Sequence, residues 1–79
     1  MINHTDDLPE LIRRRAERIV FDIEHAGSMI AAVQNGAKAE GFILGISCWS
    51  GLTPDRCDLL TMHFEDVLEK RLRTLILGL

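Results

Sequence analysis

Four arginines, Arg13, Arg14, Arg15 and Arg18, crowd one short segment of this 79-residue chain. Guanidinium forks bind phosphate or carboxylate oxygens two at a time, so the cluster is the first candidate contact for nucleic acid or for an acidic protein. Its neighbours argue for a milder role. Glu10 lies four residues before Arg14, Glu17 four after Arg13 and Asp22 four after Arg18, the spacing at which helical side chains of opposite charge meet. Arg15 has no such partner. It sits at the edge of the apolar seam described below, where its stem is placed to cover a neighbouring helix. A formal charge of -3 opposes a protein that grips nucleic acid over its whole surface, and no aromatic residues alternate with the arginines.

The remaining chemistry-bearing residues form no constellation. Cys57 falls early in an expected helix, where the helix dipole favours a thiolate, but it shares the apolar face of that helix and has no cysteine or histidine one turn away. A buried inert thiol is expected. Cys48, Cys57 and His63 lack a fourth zinc ligand and regular spacing. His25 and His63 stand three residues from Asp22 and Asp66, an arrangement common on solvated helices. No glycine-rich phosphate loop and no tyrosine accompany them, so neither enzyme chemistry nor a metal or other cofactor is expected.

Two cysteines without a Cys-x-x-Cys pair, and no stretch that reads as a signal peptide, point to reduced thiols in a soluble cytoplasmic protein. The longest apolar stretch, Phe42 to Trp49, falls well short of the roughly 20 residues a membrane helix needs. No membrane partner is expected.

Apolar periodicity then defines the elements. Ile12, Ala16, Ile19, Ile23, Ala26, Ile30 and Val33 repeat at 4-3-4-3-4-3, which predicts one long first helix, about residues 8–34, with a seam for a second helix at a small crossing angle. Asp7, Pro9 and Glu10 mark its start, and Asn35-Gly36 its expected end. Gly27-Ser28 is an expected bend that the seam carries through. A second helix is expected over about 37–50, apolar nearly all round and therefore central, with Ala37, Gly41 and Gly45 as a small-residue stripe that lets another backbone approach. A strand over Phe42, Leu44, Ile46 and Cys48 would have nothing to pair with. Thr53-Pro54-Asp55 marks the start of a third helix, about 54–76, with Cys57, Leu60, Phe64, Leu68, Leu72 and Leu75 on one face and the pairs Asp66/Lys70 and Glu69/Arg73 on the other.

The fold class expected is all-α: a small three-helix bundle or helical hairpin with a long first helix, one domain over residues 1–79, paired as a symmetric dimer. Pairing follows from size. So short a chain buries little more than half of its unfolded surface, while 47% of its residues are hydrophobic, and an antiparallel pairing of long helices is expected to cover them.

Several apolar residues lie off the seams. Phe21 opposes the Ile12–Val33 stripe, Leu11 and Met29 lie to one side of it, and Leu59, Met62 and Leu77 take the outer side of the third helix. Leu11, Phe21, Met29, Leu59 and Met62, with Arg14, Arg15 and Arg18, are the candidate partner-binding residues. Function is expected to lie in these surfaces. A regulator, adaptor or inhibitor of the bacterial, phage or plasmid accessory type fits best, with an unidentified protein partner. The alternative is a dimeric nucleic-acid-binding transcriptional regulator using the Arg13–Arg18 cluster; no exposed basic recognition helix accompanies it.

Overall fold

A computed structural model of the chain describes residues 9–49 and 52–78. They form three α-helices: α1 (Glu10–Glu24), α2 (Met29–Trp49) and α3 (Pro54–Leu77). The all-α bundle expected from periodicity is the observed architecture, and the Phe42–Cys48 segment is helical. At 1.5 Å per residue α3 runs about 36 Å and accounts for most of the 39 Å long axis.

The first helix is not long. The expected helix over 8–34 is two helices, broken at His25–Ser28, and the expected stop at Asn35-Gly36 lies inside α2. Three tertiary bonds and one capping bond explain the break. Arg71 on α3 donates through Nε (2.9 Å) and Nη2 (2.7 Å) to the carbonyl of Ala26, and Asn35 Nδ2 donates to the carbonyl of Asp22 at 3.2 Å. These bonds satisfy carbonyls that the end of α1 leaves without helical partners. Ser28 then caps α2, its Oγ accepting from the Ala31 N–H at 3.1 Å.

Gly36 does not end a helix; it permits a close crossing. A Cβ built there would stand 2.7 Å from Leu68 Cδ2, so α2 and α3 approach where side-chain bulk is missing. The boundary read from Thr53-Pro54 holds: Thr53 Oγ1 accepts from the Arg56 N–H at 3.3 Å, and Pro54 opens α3. Gly78, at φ 70°, closes α3 by donating to the Thr74 carbonyl at 2.9 Å. At the start of α1, Pro9 is the N-cap and makes no side-chain cap bond. Asp7, the cap read from sequence, lies outside the described residues.

The core gathers where the three helices meet. Ala16, Ile19 and Ile23 come from α1, Ala39 and Ile46 from α2, and Cys57, Leu60, Phe64 and Val67 from α3. Phe42 and Phe64 meet as tilted rings with centroids 6.3 Å apart. Five of the seven seam residues therefore do their expected work, since Ala16, Ile19, Ile23 and Ala26 are buried and Ile12 packs against the core. Ile30 and Val33, past the break, turn outward and are 72% and 55% exposed.

Candidate interaction surfaces

The core is thin for the apolar content of the chain. Among the described residues six large hydrophobic side chains are buried (Ile19, Ile23, Ile46, Leu60, Phe64 and Val67), against ten that are exposed. Exposed leucines taken singly mean nothing, but a ratio of this kind directs attention to where they fall.

On α1 they fall beside the arginines. At 100° per residue, Leu11, Arg14, Arg18, Phe21 and His25 share the side of the helix opposite Ala16 and Ile23, at spacings of three and four. Each of these five is exposed. Arg18 stands over the Phe21 ring at 5.6 Å, and that ring stacks on His25 with centroids 4.1 Å apart. His25 Nδ1 is 2.8 Å from the Phe21 carbonyl oxygen, which fixes the imidazole at the foot of the column.

Intrahelical ion pairs hold the arginines as their spacing predicted. Arg13 meets Glu17 at 3.3 Å and Glu10 at 3.7 Å, Arg14 meets Glu10 at 3.2 Å, and Arg18 meets Asp22 at 3.2 Å. Each pair is solvent-exposed and worth about 0.3–0.5 kcal/mol, so it orients a guanidinium without withdrawing it from a partner. Arg15 is exposed, with no ion pair of its own among the described residues. On α3 the expected pairs also form, Asp66–Lys70 at 3.0 Å and Glu69–Arg73 at 2.6 Å.

The remaining candidate residues occupy other faces. Leu59 and Met62 are exposed on the outer side of α3 among His63, Asp66 and Glu69, and Met29 is exposed at the start of α2. Four of the eight candidates, Leu11, Arg14, Arg18 and Phe21, thus share the α1 column, while Arg15, Met29 and the pair Leu59 and Met62 lie on other faces.

Sequence reasoning missed the outward face of α2. That helix is buried along one side only: Leu44 is 68% exposed, and Ala37, Gly41, Gly45 and Cys48 are exposed as well. The expected small-residue stripe does not pack inside the domain, since a Cβ at Gly41 or Gly45 would meet nothing within 4 Å. Continuing the seam periodicity past the break, rather than restarting it at Ser28, hid this face.

Chemistry-bearing groups stay apart. Cys57 is buried in the core and Cys48 lies exposed on α2. The Asp22 carboxylate is engaged by Arg18 and the Asp66 carboxylate by Lys70, while His25 lies against Phe21. Among the described residues no three His, Cys, Asp or Glu side chains gather as a metal site, and no helix is long and apolar enough to cross a membrane.

No protein-family model matches the chain, and no match emerges among curated proteins or among solved structures.

Proposed function

We propose that this chain is a small non-enzymatic interaction protein, a regulator, adaptor or inhibitor that works as a symmetric dimer in the cytoplasm and docks on a larger protein through a helix face. One observation carries the reading: Leu11, Arg14, Arg18 and Phe21 stand in a solvent-facing column on α1, with Phe21 half exposed yet ordered by stacking on His25. Aromatic and arginine side chains are the types that contribute most to protein interfaces when a partner desolvates them, and a ring already held in place loses little freedom on binding. The complementary partner surface carries carboxylates beside an apolar hollow. In kind this matches the accessory proteins of bacteria, phages and plasmids, an analogy of type rather than of family.

Capture of host proteins by the tagged chain tests the reading, with Phe21→Asp as the control. Circular dichroism should be unchanged by that exposed substitution while the captured partner is lost; equal capture by both proteins overturns it.

Nucleic acid is the second reading, favoured by the exposed Arg15 and by the doubling of the cluster that a two-fold axis brings. It predicts retention on heparin that falls steeply with salt and disappears in Arg14→Glu/Arg15→Glu.

A further inference from the structure

The outward face of α2 carries opposite charges on opposite flanks of an apolar strip. At 100° per residue, Ile30, Ala37, Gly41 and Cys48 run along its midline, and Val33 and Leu44 lie beside them. From Ile30 to Cys48 the strip is about 27 Å long, and Gln34 is the polar side chain within it. Lys38 and Glu40 lie about 80° to either side of the midline, nearly level with its centre. Both are exposed, and neither forms an ion pair among the described residues. Two residues apart on a helix, they point away from each other and cannot neutralise one another.

We infer that this face is covered by α2 of a second copy of the chain, the two helices running parallel about a two-fold axis between them, so that Lys38 of each copy meets Glu40 of the other. Symmetry dictates the orientation. A two-fold axis along the helices brings the Lys38 flank of one copy beside the Glu40 flank of its twin, twice over. An antiparallel pair places lysine flank beside lysine flank and glutamate beside glutamate, which costs energy in a partly dehydrated seam. For axes separated by 8–10 Å, the parallel arrangement sets the two backbones at Lys38 and Glu40 roughly 8 Å apart, within reach of both side chains.

The middle of the strip suits this use. Ala37 and Gly41 remove bulk where the helices cross, and Gly41 has nothing within 4 Å that a closer backbone would displace. Ile30 and Leu44, 72% and 68% exposed, supply the area that the monomer leaves wet. A stable interface hides about 800 Å² per copy, roughly one seventh of the 5614 Å² exposed here. The self-association put forward under the proposed function underlies this inference, which adds the face and the direction.

Cys48 supplies the readout. On the midline of a parallel pair it faces its own copy within the 4.4–6.8 Å backbone span of a disulfide, whereas in an antiparallel pair centred on the same residues it faces the opposite end of the strip. Mild oxidation of the whole chain should give a disulfide-linked dimer that is lost in Cys48→Ser and kept in Cys57→Ala. Gly41→Glu, whose Cβ has nothing within 4 Å in the monomer, should retain the helical spectrum and give a single-copy mass. Lys38→Glu and Glu40→Lys should each weaken the dimer several-fold, and the two together should restore it. A wild-type chain of single-copy mass at every concentration overturns both the arrangement and the proposed self-association. A dimer indifferent to Gly41→Glu overturns the face alone, and one abolished by it that never bridges through Cys48 overturns the direction. Partner capture through Phe21 on α1 is scored separately.

Discussion

Arg71 and Ala26, 45 positions apart, are joined by two hydrogen bonds to one carbonyl oxygen, and this contact ties the corner between α1 and α2 to the C-terminal third of α3. A planar fork on a carbonyl is a geometry lysine cannot reproduce. Bonds of this charge-assisted kind contribute about 1.5–3 kcal/mol. Arg71→Ala should therefore lower unfolding stability by about 2–3 kcal/mol, with Arg71→Lys recovering less than half of the loss. Urea denaturation followed by circular dichroism measures it, and a loss below about 0.5 kcal/mol would show that the corner does not depend on the guanidinium.

Ser28 begins α2 as its N-cap, so Ser28→Ala should cost about 1 kcal/mol and Ser28→Asp should cost little, because a carboxylate accepts the same N–H and suits the positive end of the helix. Were α1 and α2 one continuous helix in solution, Ser28→Ala would instead stabilise it. Thermal melts of the three proteins distinguish these outcomes.

Glycines on the two sides of α2 should respond oppositely to alanine. At Gly45, with open space around the new methyl, the gain in helix propensity is up to about 1 kcal/mol. At Gly36 that gain is offset by displacing the Leu68 methyl 2.7 Å away, so Gly36→Ala should be neutral or destabilising and Gly36→Val should cost about 1–3 kcal/mol. Denaturation of dilute protein tests the contrast, which fails if both alanines stabilise equally.

Leu60, only 1% exposed, is one of the two largest fully buried side chains. Leu60→Ala should cost about 2–5 kcal/mol, enough to unfold a domain with so few large core residues. Loss of the cooperative melt is the expected result. A cooperative transition within 1 kcal/mol of wild type would mean that the core lies elsewhere.

The legible parts of this fold were those encoded by local chemistry. Thr53 sits three residues from the Arg56 N–H it caps, Pro54 brings its fixed φ to the first helical position and Asp55 places an acid in the first turn, so the start of α3 could be read directly, as could the ion pairs at four-residue spacing on α1 and α3. What was misread depends on residues far away in sequence. The Ile12–Val33 periodicity continues across a break whose stabilising bonds come from Arg71 and Asn35. Asn35-Gly36 resembles a helix stop, yet Asn35 reaches back to Asp22 and Gly36 makes room for Leu68. The candidate surfaces divide in the same way. Leu11, Arg14, Arg18 and Phe21 could be placed on one side of α1 from spacing alone. The outward face of α2 could not, because whether Ala37, Gly41 and Gly45 face a neighbour or solvent depends on which side α1 and α3 take.

Sedimentation equilibrium of the wild-type chain beside Gly41→Glu tests the central claim, that a helix face left bare in one copy is closed by another. Twice the chain mass of 8.9 kDa is expected for the wild type at micromolar concentration, and 8.9 kDa for the variant with its helical content intact. A wild-type mass of 8.9 kDa across the same range would contradict the account.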